Sequence, residues 1–473
     1  MKKHIGTILM TGVMACSMAT AMFATGCGKD VKAPDFLMPE EGFNTEEHVK
    51  ITFYHTMGAN LKEVLDDYIE EFNVLYPNIE VETDSVGSYD DVRNKISTEI
   101  TVGDQPNIAY CYPDHVALYN SANVVQTLDT IIDSTDIVTR ADDSTETIGL
   151  TAAQKADFIE GYYNEGKAYG DDRMYTMPFS KSTEVLYYNQ KFFTENNLSV
   201  PTTWEELGAT CARILEITDG VTEDGTKIYP LGYDSEANWF ITMCEQYGSD
   251  YTSATGEHFL FDNAKNREFV QMFDNWYKAG YFTTQKINGT YTSNLFKAQT
   301  SYMSIGSSAG ATHQRPDKRD DGTYPFEVGI ASIPQVNPNN PKVISQGPSV
   351  CIFKKSNPQE VLASWLFVKF LTTSVEFQAR FADVSGYIPV IKSAAENPVY
   401  AEKLANENGG DNIAYRSAKV CMEQENAYYV SPAFIGSSKA RDEVGNLLQA
   451  VFTNSKTLDQ AFKDAVDECE YSI

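Results

Sequence analysis

Histidine is scarce: six occur in 473 residues, and the last is His313. The sequence has no H-E-x-x-H, no C-x-x-C and no complete EF-hand loop, so no metal and no cofactor is expected. The early end of the histidines also decides how Gly306-Ser307-Ser308-Ala309-Gly310 is read. These residues fit the G-x-S-x-G nucleophile pattern, which needs a histidine well downstream of the serine. His313 stands only five residues after Ser308, so the segment reads as a turn and not as a catalytic elbow. Gly161 to Lys167 fits G-x-x-x-x-G-K, but Ala168 replaces the magnesium-holding Ser or Thr and the surroundings are aromatic. It is a chance match to a phosphate loop.

Basic charge is also short. Lys and Arg number 37 against 66 Asp and Glu, a net charge of −29, which repels nucleic acid and anionic lipid. The chain begins with Lys2 and Lys3, followed by an apolar, small-residue run from Ile5 to Gly26 that carries no acid. Small residues crowd its end and no stop-transfer pattern follows, which marks a cleavable export signal rather than a membrane span. Ala24-Thr25-Gly26-Cys27 resembles a lipoprotein signal, with Cys27 as the lipid-bearing terminus. Ala24 departs from the usual large aliphatic residue, and Cys16 behind Val13-Met14-Ala15 is the rival site. Removing residues 1–26 deletes two lysines and no acid, moving the charge from −29 to −31. The remaining cysteines (Cys111, Cys211, Cys244, Cys351, Cys421 and Cys469) are widely spread and expected to be buried thiols.

No internal repeat is visible, and the one biased tract is the Pro/Gly/Glu-rich stretch 28–47, which reads as a tether. A length of 473 residues exceeds one ordinary core and suits two lobes. Val49-Lys-Ile51-Thr-Phe53-Tyr54 alternates as a strand. Leu61, Val64, Leu65, Tyr68, Ile69 and Phe72 then recur at helical spacing until Pro77. A strand at Ile79–Glu82, a helix through Val92, Ile96 and Ile100, and a strand at Ile108–Cys111 follow. This alternation predicts parallel strands with helices on the sheet faces. Ligands in such sheets sit beyond the carboxyl ends of the strands, so the loops after Phe53, Val81 and Cys111 matter most, and Asp114 is the carboxylate expected in a cleft. Residues 134–150 read as a surface excursion, and helical pattern dominates from Phe158 to Tyr281. Further strands are expected at Tyr302–Ile305 and around Val328–Ile330. Asn357-Pro358-Gln359-Glu360 opens a long helix that is apolar on nearly every face.

Tyr175 to Leu207 reads YTMPFSKSTEVLYYNQKFFTENNLSVPTTWEEL, with Thr203 and Glu206 placed as a capping box. It resembles the lobe-crossing segment of the extracellular solute-binding proteins that feed ABC importers. Other segments resemble the sugar- and glycerol-phosphate-binding branch of that family: Ile51 to Gly58, Gly87-Ser88-Tyr89-Asp90, Gly103 to Ile108, and Ser385-Gly386-Tyr387-Ile388-Pro389-Val390. The resemblance covers essentially the whole mature chain. It implies an α/β, two-lobed periplasmic-binding-protein fold with a hinged ligand cleft. Lobe 1 is expected to comprise 48–176 and 328–355, and lobe 2 to comprise 177–327 and 356–473, behind a signal peptide of 1–26 and a tether of 27–47.

Carried over residue by residue, the resemblance implies ligand contacts from Tyr54, His55, Tyr89, Ser182, Trp239, Ser307, Ser308, Gly347 and Tyr387. Flat aromatic faces stack on sugar C–H surfaces, while hydroxyls and carboxylates satisfy sugar hydroxyls. In the glycerol-phosphate branch an R-L-G-N motif supplies a guanidinium for the phosphate. Here Phe434 stands at that arginine, in Phe434-Ile435-Gly436-Ser437, which favours a neutral sugar or oligosaccharide; Arg315 and Lys181 are the cations that could substitute. The expected partners are a carbohydrate and ABC permease subunits, with a lipid anchor as the only membrane contact, no nucleic acid, and a monomer on the outer face of the cytoplasmic membrane. Three alternatives stay open: glycerol-phosphate binding, a glycoside hydrolase using two of the 66 acids, and a glycan-binding surface sensor.

Overall fold

The computed structural model describes residues 36–406 and 410–473. The export signal, Cys16, Cys27 and the tether through residue 35 lie outside the described residues; the rest of that stretch, 36–47, is described, and its Phe43 is buried in the core instead of hanging free. Strand β1 (Val49–His55) buries Val49, Ile51, Phe53 and His55, as its alternation requires. Helix α1 (Ala59–Leu75) sets Val64, Leu65, Tyr68 and Phe72 inward and ends at Tyr76, just before Pro77. Strand β2 (Ile79–Ser85) pairs parallel to β1, with Ile79 opposite Val49. Helix α2 (Tyr89–Ile100) begins with a capping box: Ser88 Oγ accepts from the Asp91 N–H and Asp91 accepts from the Ser88 N–H. Strand β3 (Ile108–Cys111) is wholly buried and lies parallel on the other side of β1. Helix α3 (Pro113–Asn120) leaves its end with proline in the first turn.

The Asp/Thr-rich stretch 134–150 is more than a surface excursion. It forms a small hairpin, Ile137–Thr139 against Thr145–Thr147, and sends Val138, Ile148 and Leu150 into the core. The Trp365 indole N–H donates to the Ile148 carbonyl at 2.7 Å.

Strand β4 (Thr176–Pro178) closes the first sheet, and β5 (Glu184–Asn189) begins the second. Helix α4 (Trp204–Thr218) has the expected Thr203–Glu206 capping box. Strand β6 (Leu231–Tyr233), helix α5 (Glu236–Tyr247) and strand β7 (Phe282–Thr284) follow, so the stretch read as dominantly helical also holds short strands. Strands β8 (Met303–Ser307), β9 (Val328–Ser332) and β10 (Ser349–Ile352), then helices α6 (Pro358–Thr373) and α7 (Ser437–Phe452), complete the frame. The sheet orders are β2-β1-β3-β10-β4 and β9-β5-β8-β6-β7.

The fold is therefore two α/β lobes, each with a five-stranded mixed sheet. Two segments sit differently from the boundaries that the sequence suggests. β9 pairs antiparallel with β5, Val328 opposite Asn189, and so belongs to the second sheet. Helix α6, apolar all round, lies on the first sheet: the Phe367 ring packs edge-on against Phe53 and Phe72. Three segments run side by side between the lobes. Ser182 and Gln346 exchange both backbone hydrogen bonds at 2.9 and 2.8 Å, and Lys181 does the same with Ile388 at 3.1 and 2.6 Å. All six described cysteines are buried and free. Among the described residues no helix is long and apolar enough to cross a membrane.

Candidate ligand cleft

A cavity of about 600 Å³ opens between the lobes, within the range of small-molecule sites. The first lobe contributes the turns beyond β2 and β3: Ser88-Tyr89-Asp90 and Tyr112-Pro113-Asp114-His115. The crossing segments add Ser182, Ile344 to Gln346 and Tyr387, and Glu165 forms part of the floor. The second lobe supplies Ser307 at the end of β8, Ile241 of α5, Tyr251, residues 430–433 and the first turns of α7. Two of the three strand-end loops singled out in the sequence thus open onto the cavity. That is where a parallel sheet directs its helix starts and places ligands.

Local structure explains these positions. The Ser88–Asp91 capping box fixes the start of α2, so Tyr89 projects from its first turn, its ring 4.8 Å from that of Tyr112. Pro113 starts α3, whose first turn has no side-chain cap. Gly436 enters α7 at φ +99°, a conformation that side-chain-bearing residues rarely adopt. A Cβ there would also meet Ile473 Cγ2 at 2.6 Å. That entry turns Ser437, Ser438, Arg441 and Asp442 toward the cleft, while Ala440, Val444, Leu447 and Leu448 face the core.

Burial shapes the electrostatics. It raises the hydroxyl pKa of Tyr89, Tyr112, Tyr251 and Tyr387, so all four stay neutral donors. It lowers that of His115, which is neutral at pH 7, and raises that of Asp442, opposed by Lys286 and Arg441. Among the described residues Arg441 alone brings a positive charge to the lining, facing Asp90, Asp114, Glu165 and Asp442. The Tyr251 hydroxyl and His115 Nδ1 are buried and have no protein hydrogen-bond partner. Such groups are costly unless something bound in the cavity satisfies them. No three His, Cys, Asp or Glu side chains among the described residues converge to hold a metal.

Of the residues nominated from sequence, Tyr89, Asp114, Ser182, Ser307 and Tyr387 line the cavity. Five do not. Trp239 is fully buried in the second lobe's core, its ring 4.6 Å from Tyr233 and 4.1 Å from Phe273. Tyr54 points to the opposite face of the first sheet, where its hydroxyl donates to Glu99 at 3.2 Å and Lys95 sits over its ring. His55 lies beneath the strand end, accepting at Nδ1 from the Met57 N–H at 3.1 Å. Ser308 is buried, its Oγ accepting from the Thr183 N–H at 3.1 Å. Gly347 is needed for close packing of chain on chain: at φ +90°, a Cβ would come within 2.5 Å of the Ser180 carbonyl oxygen.

Neither suggested substitute cation enters the cleft. Lys181 is sealed against Glu165, and Arg315 pairs with Asp411 on the surface. The residues that sequence reasoning missed are Tyr112, His115, Glu165, Tyr251, Gln346, Arg441 and Asp442. The α7 pair had a readable signal, because the apolar stripe 440, 444, 447, 448 and 451 leaves 437, 438, 441 and 442 on a separate face.

Comparison with known proteins now places this geometry. The chain is 22% identical over 435 residues to the sn-glycerol-3-phosphate-binding periplasmic protein UgpB of Yersinia pseudotuberculosis, covering 88% of this chain and 90% of that one. Among solved structures, the cyclic alpha-maltosyl-1,6-maltose binding protein of Arthrobacter globiformis superposes with a TM-score of 0.68 at 17% identity, over 89% of this chain and 98% of that one. UgpB of Mycobacterium tuberculosis, in complex with glycerophosphocholine, gives 0.69 at 17% identity, over the same 89% and 98%. These likenesses fix the two-lobed binding-protein fold. Residues 67–408, well over half of the chain, match the profile described as bacterial extracellular solute-binding protein, and the chain belongs to that family.

Proposed function

We propose that this protein is the substrate-binding component of an ABC importer, closing its two lobes on a neutral sugar or oligosaccharide and presenting the closed form to a permease. The observation that carries the ligand class is the lining of the cleft. Tyr89, Tyr112, Tyr251 and Tyr387 bring aromatic faces and neutral hydroxyls, the carboxylates of Asp90, Asp114 and Asp442 accept from hydroxyls, and one guanidinium donates. Polyols need that mixture of stacking faces, donors and acceptors. Closure follows from differential affinity: ligand bound on one lobe gains the other lobe's contacts only in the closed form. The protein acts without bond-making chemistry, as an exported monomer held to the outer face of the membrane by lipid on Cys27.

A glycerol-phosphate ligand is the second reading, supported by the UgpB relatives and by Arg441 in the lining. With Glu165 already paired to Lys181, Asp90, Asp114 and Asp442 still outnumber the one guanidinium of the lining and oppose a phosphate. The two readings separate in a thermal-shift screen of residues 28–473 against mono- and oligosaccharides, glycerol phosphates, amino acids and polyamines. A ligand at a hundred times its Kd adds about 2.7 kcal/mol of stability. A rise with one sugar class and no turnover is the expected result. A rise with glycerol phosphates alone, or sugar consumed during incubation, overturns it.

A further inference from the structure

Glu184 is a carboxylate buried at the start of β5, 1% exposed and paired across the sheet with Ser307 of the cleft wall. An isolated carboxylate there would be very costly. Its two oxygens are served by neutral donors: the Tyr233 hydroxyl at 2.6 Å and Asn238 Nδ2 at 2.7 Å. Because a carboxylate only accepts, the Asn238 NH₂ must face it, and the amide oxygen must face the other way. That oxygen accepts from Arg441 Nη2. Asn238 is itself held in the first turn of α5, its backbone N–H donating to the Ser235 cap at 3.2 Å. The chain of contacts thus runs from a buried acid through a fixed amide to the single guanidinium of the cleft.

We propose that Glu184 and Asn238 are positioning residues for ligand recognition, holding the Arg441 guanidinium so that it donates to adjacent hydroxyl oxygens of a sugar while its neighbour Asp442 accepts from a hydroxyl. This rests on the carbohydrate reading above and adds the element that sets its geometry. It also makes recognition sensitive to pH. The charged groups facing Glu184 are Arg441, which favours its ionised form, and Asp234, which opposes it; the Tyr233 and Tyr429 hydroxyls complete its surroundings. Burial outweighs the donors and pushes its pKa up to about 7. Above that pH the negative charge polarises the Asn238 amide toward Arg441. Below it the relay carries no charge and holds the guanidinium less firmly.

The test is an NMR titration of the full-length protein carrying ¹⁵N-arginine, with the Arg441 side-chain signal assigned by its loss in Arg441→Lys. Without any ligand, that signal should move with a midpoint near pH 7, lose that step in Glu184→Gln, and move less in Asn238→Ala, where only the direct field of Glu184 remains. A signal that is still in the wild type, or moves equally in both variants, overturns the relay. Calorimetric binding of maltotriose at pH 6 and pH 8 forms the second arm. Wild type should bind more tightly at pH 8, Glu184→Gln should lose that dependence, and Asn238→Ala should bind about tenfold more weakly, the loss of one hydrogen bond to a charged group. Equal wild-type affinity at the two pH values overturns the role in recognition. If maltotriose binds no variant, wild type included, the carbohydrate reading fails for that probe, and the ligand-free titration decides the relay alone.

Discussion

Lys181 and Glu165 meet at 2.5 Å among the crossing segments, their side chains 0% and 3% exposed. Lys181 Nζ also donates to the Gly347 carbonyl at 3.1 Å and to Ser349 Oγ at 3.0 Å, and the Ser349 hydroxyl donates to Glu165 at 2.8 Å. The pair therefore ties the first lobe to two of the strands that connect the lobes, directly beneath the cleft.

Removing one partner strands the other's charge in the interior. Lys181→Met should cost about 3–5 kcal/mol of unfolding free energy, whereas Lys181→Met combined with Glu165→Leu should recover most of that loss. Urea unfolding of the three proteins measures both numbers. If the single variant is no less stable than the double, the ion pair does not hold this junction.

Trp239 and Tyr251 should separate stability from binding. Trp239 packs against Tyr233, Phe273 and Phe282, so Trp239→Ala should lose about 3–5 kcal/mol of stability. The Tyr251 hydroxyl has no protein partner, so Tyr251→Phe should stay within about 0.5 kcal/mol of wild type. It should weaken the ligand found in the screen about fivefold, the worth of one neutral hydrogen bond. Melting curves and titrations of both variants suffice, and unchanged affinity in Tyr251→Phe removes that hydroxyl from the site.

Two buried groups should tilt stability in opposite directions with pH. Burial lowers the His55 pKa from 6.5 to about 4. The unfolded chain therefore binds the proton first, and the contribution present above pH 6.5 is lost as pH falls toward 4. Glu184 is raised from 4.5 to about 7, so its contribution is full below pH 4.5 and is lost as pH rises through 7. Between pH 4.5 and 6.5 the two offset each other. Urea midpoints at several pH values should rise less with pH in His55→Asn than in wild type, and more in Glu184→Gln. Shifts of the same sign in both variants would contradict this account.

The first lobe was legible because its core is built by period. Val49, Ile51 and Phe53 alternate, and Val64, Leu65, Tyr68 and Phe72 recur at helical spacing, so one-sided burial leaves a mark in the sequence. Tyr89, Asp114, Ser182, Ser307 and Tyr387 were legible as cleft residues because strand ends and motif positions point to the same place. Trp239 misled because α5 is buried on nearly every side, Trp239 through Cys244 alike. Such a helix carries no periodic signal for which face meets the cleft. Arg441 and Tyr251 reach the cavity through tertiary packing of α7 and of the loop after α5. The apolar stripe of α7 sets Arg441 on a separate face, but nothing local to either residue says that it meets the cleft.

The larger of the hydrophobic clusters joins Phe53, Phe72 and Phe367 of the first lobe to Val185, Tyr187, Phe296, Phe326 and Val328 around the second sheet. The lobes are separate as shapes but share one interior on this side. Heat or denaturant that loosens either lobe must strip apolar surface from the other. The two lobes should therefore unfold as a single cooperative unit, and any hinge between them is expected to open on the side of the molecule where that shared interior gives way to the cleft.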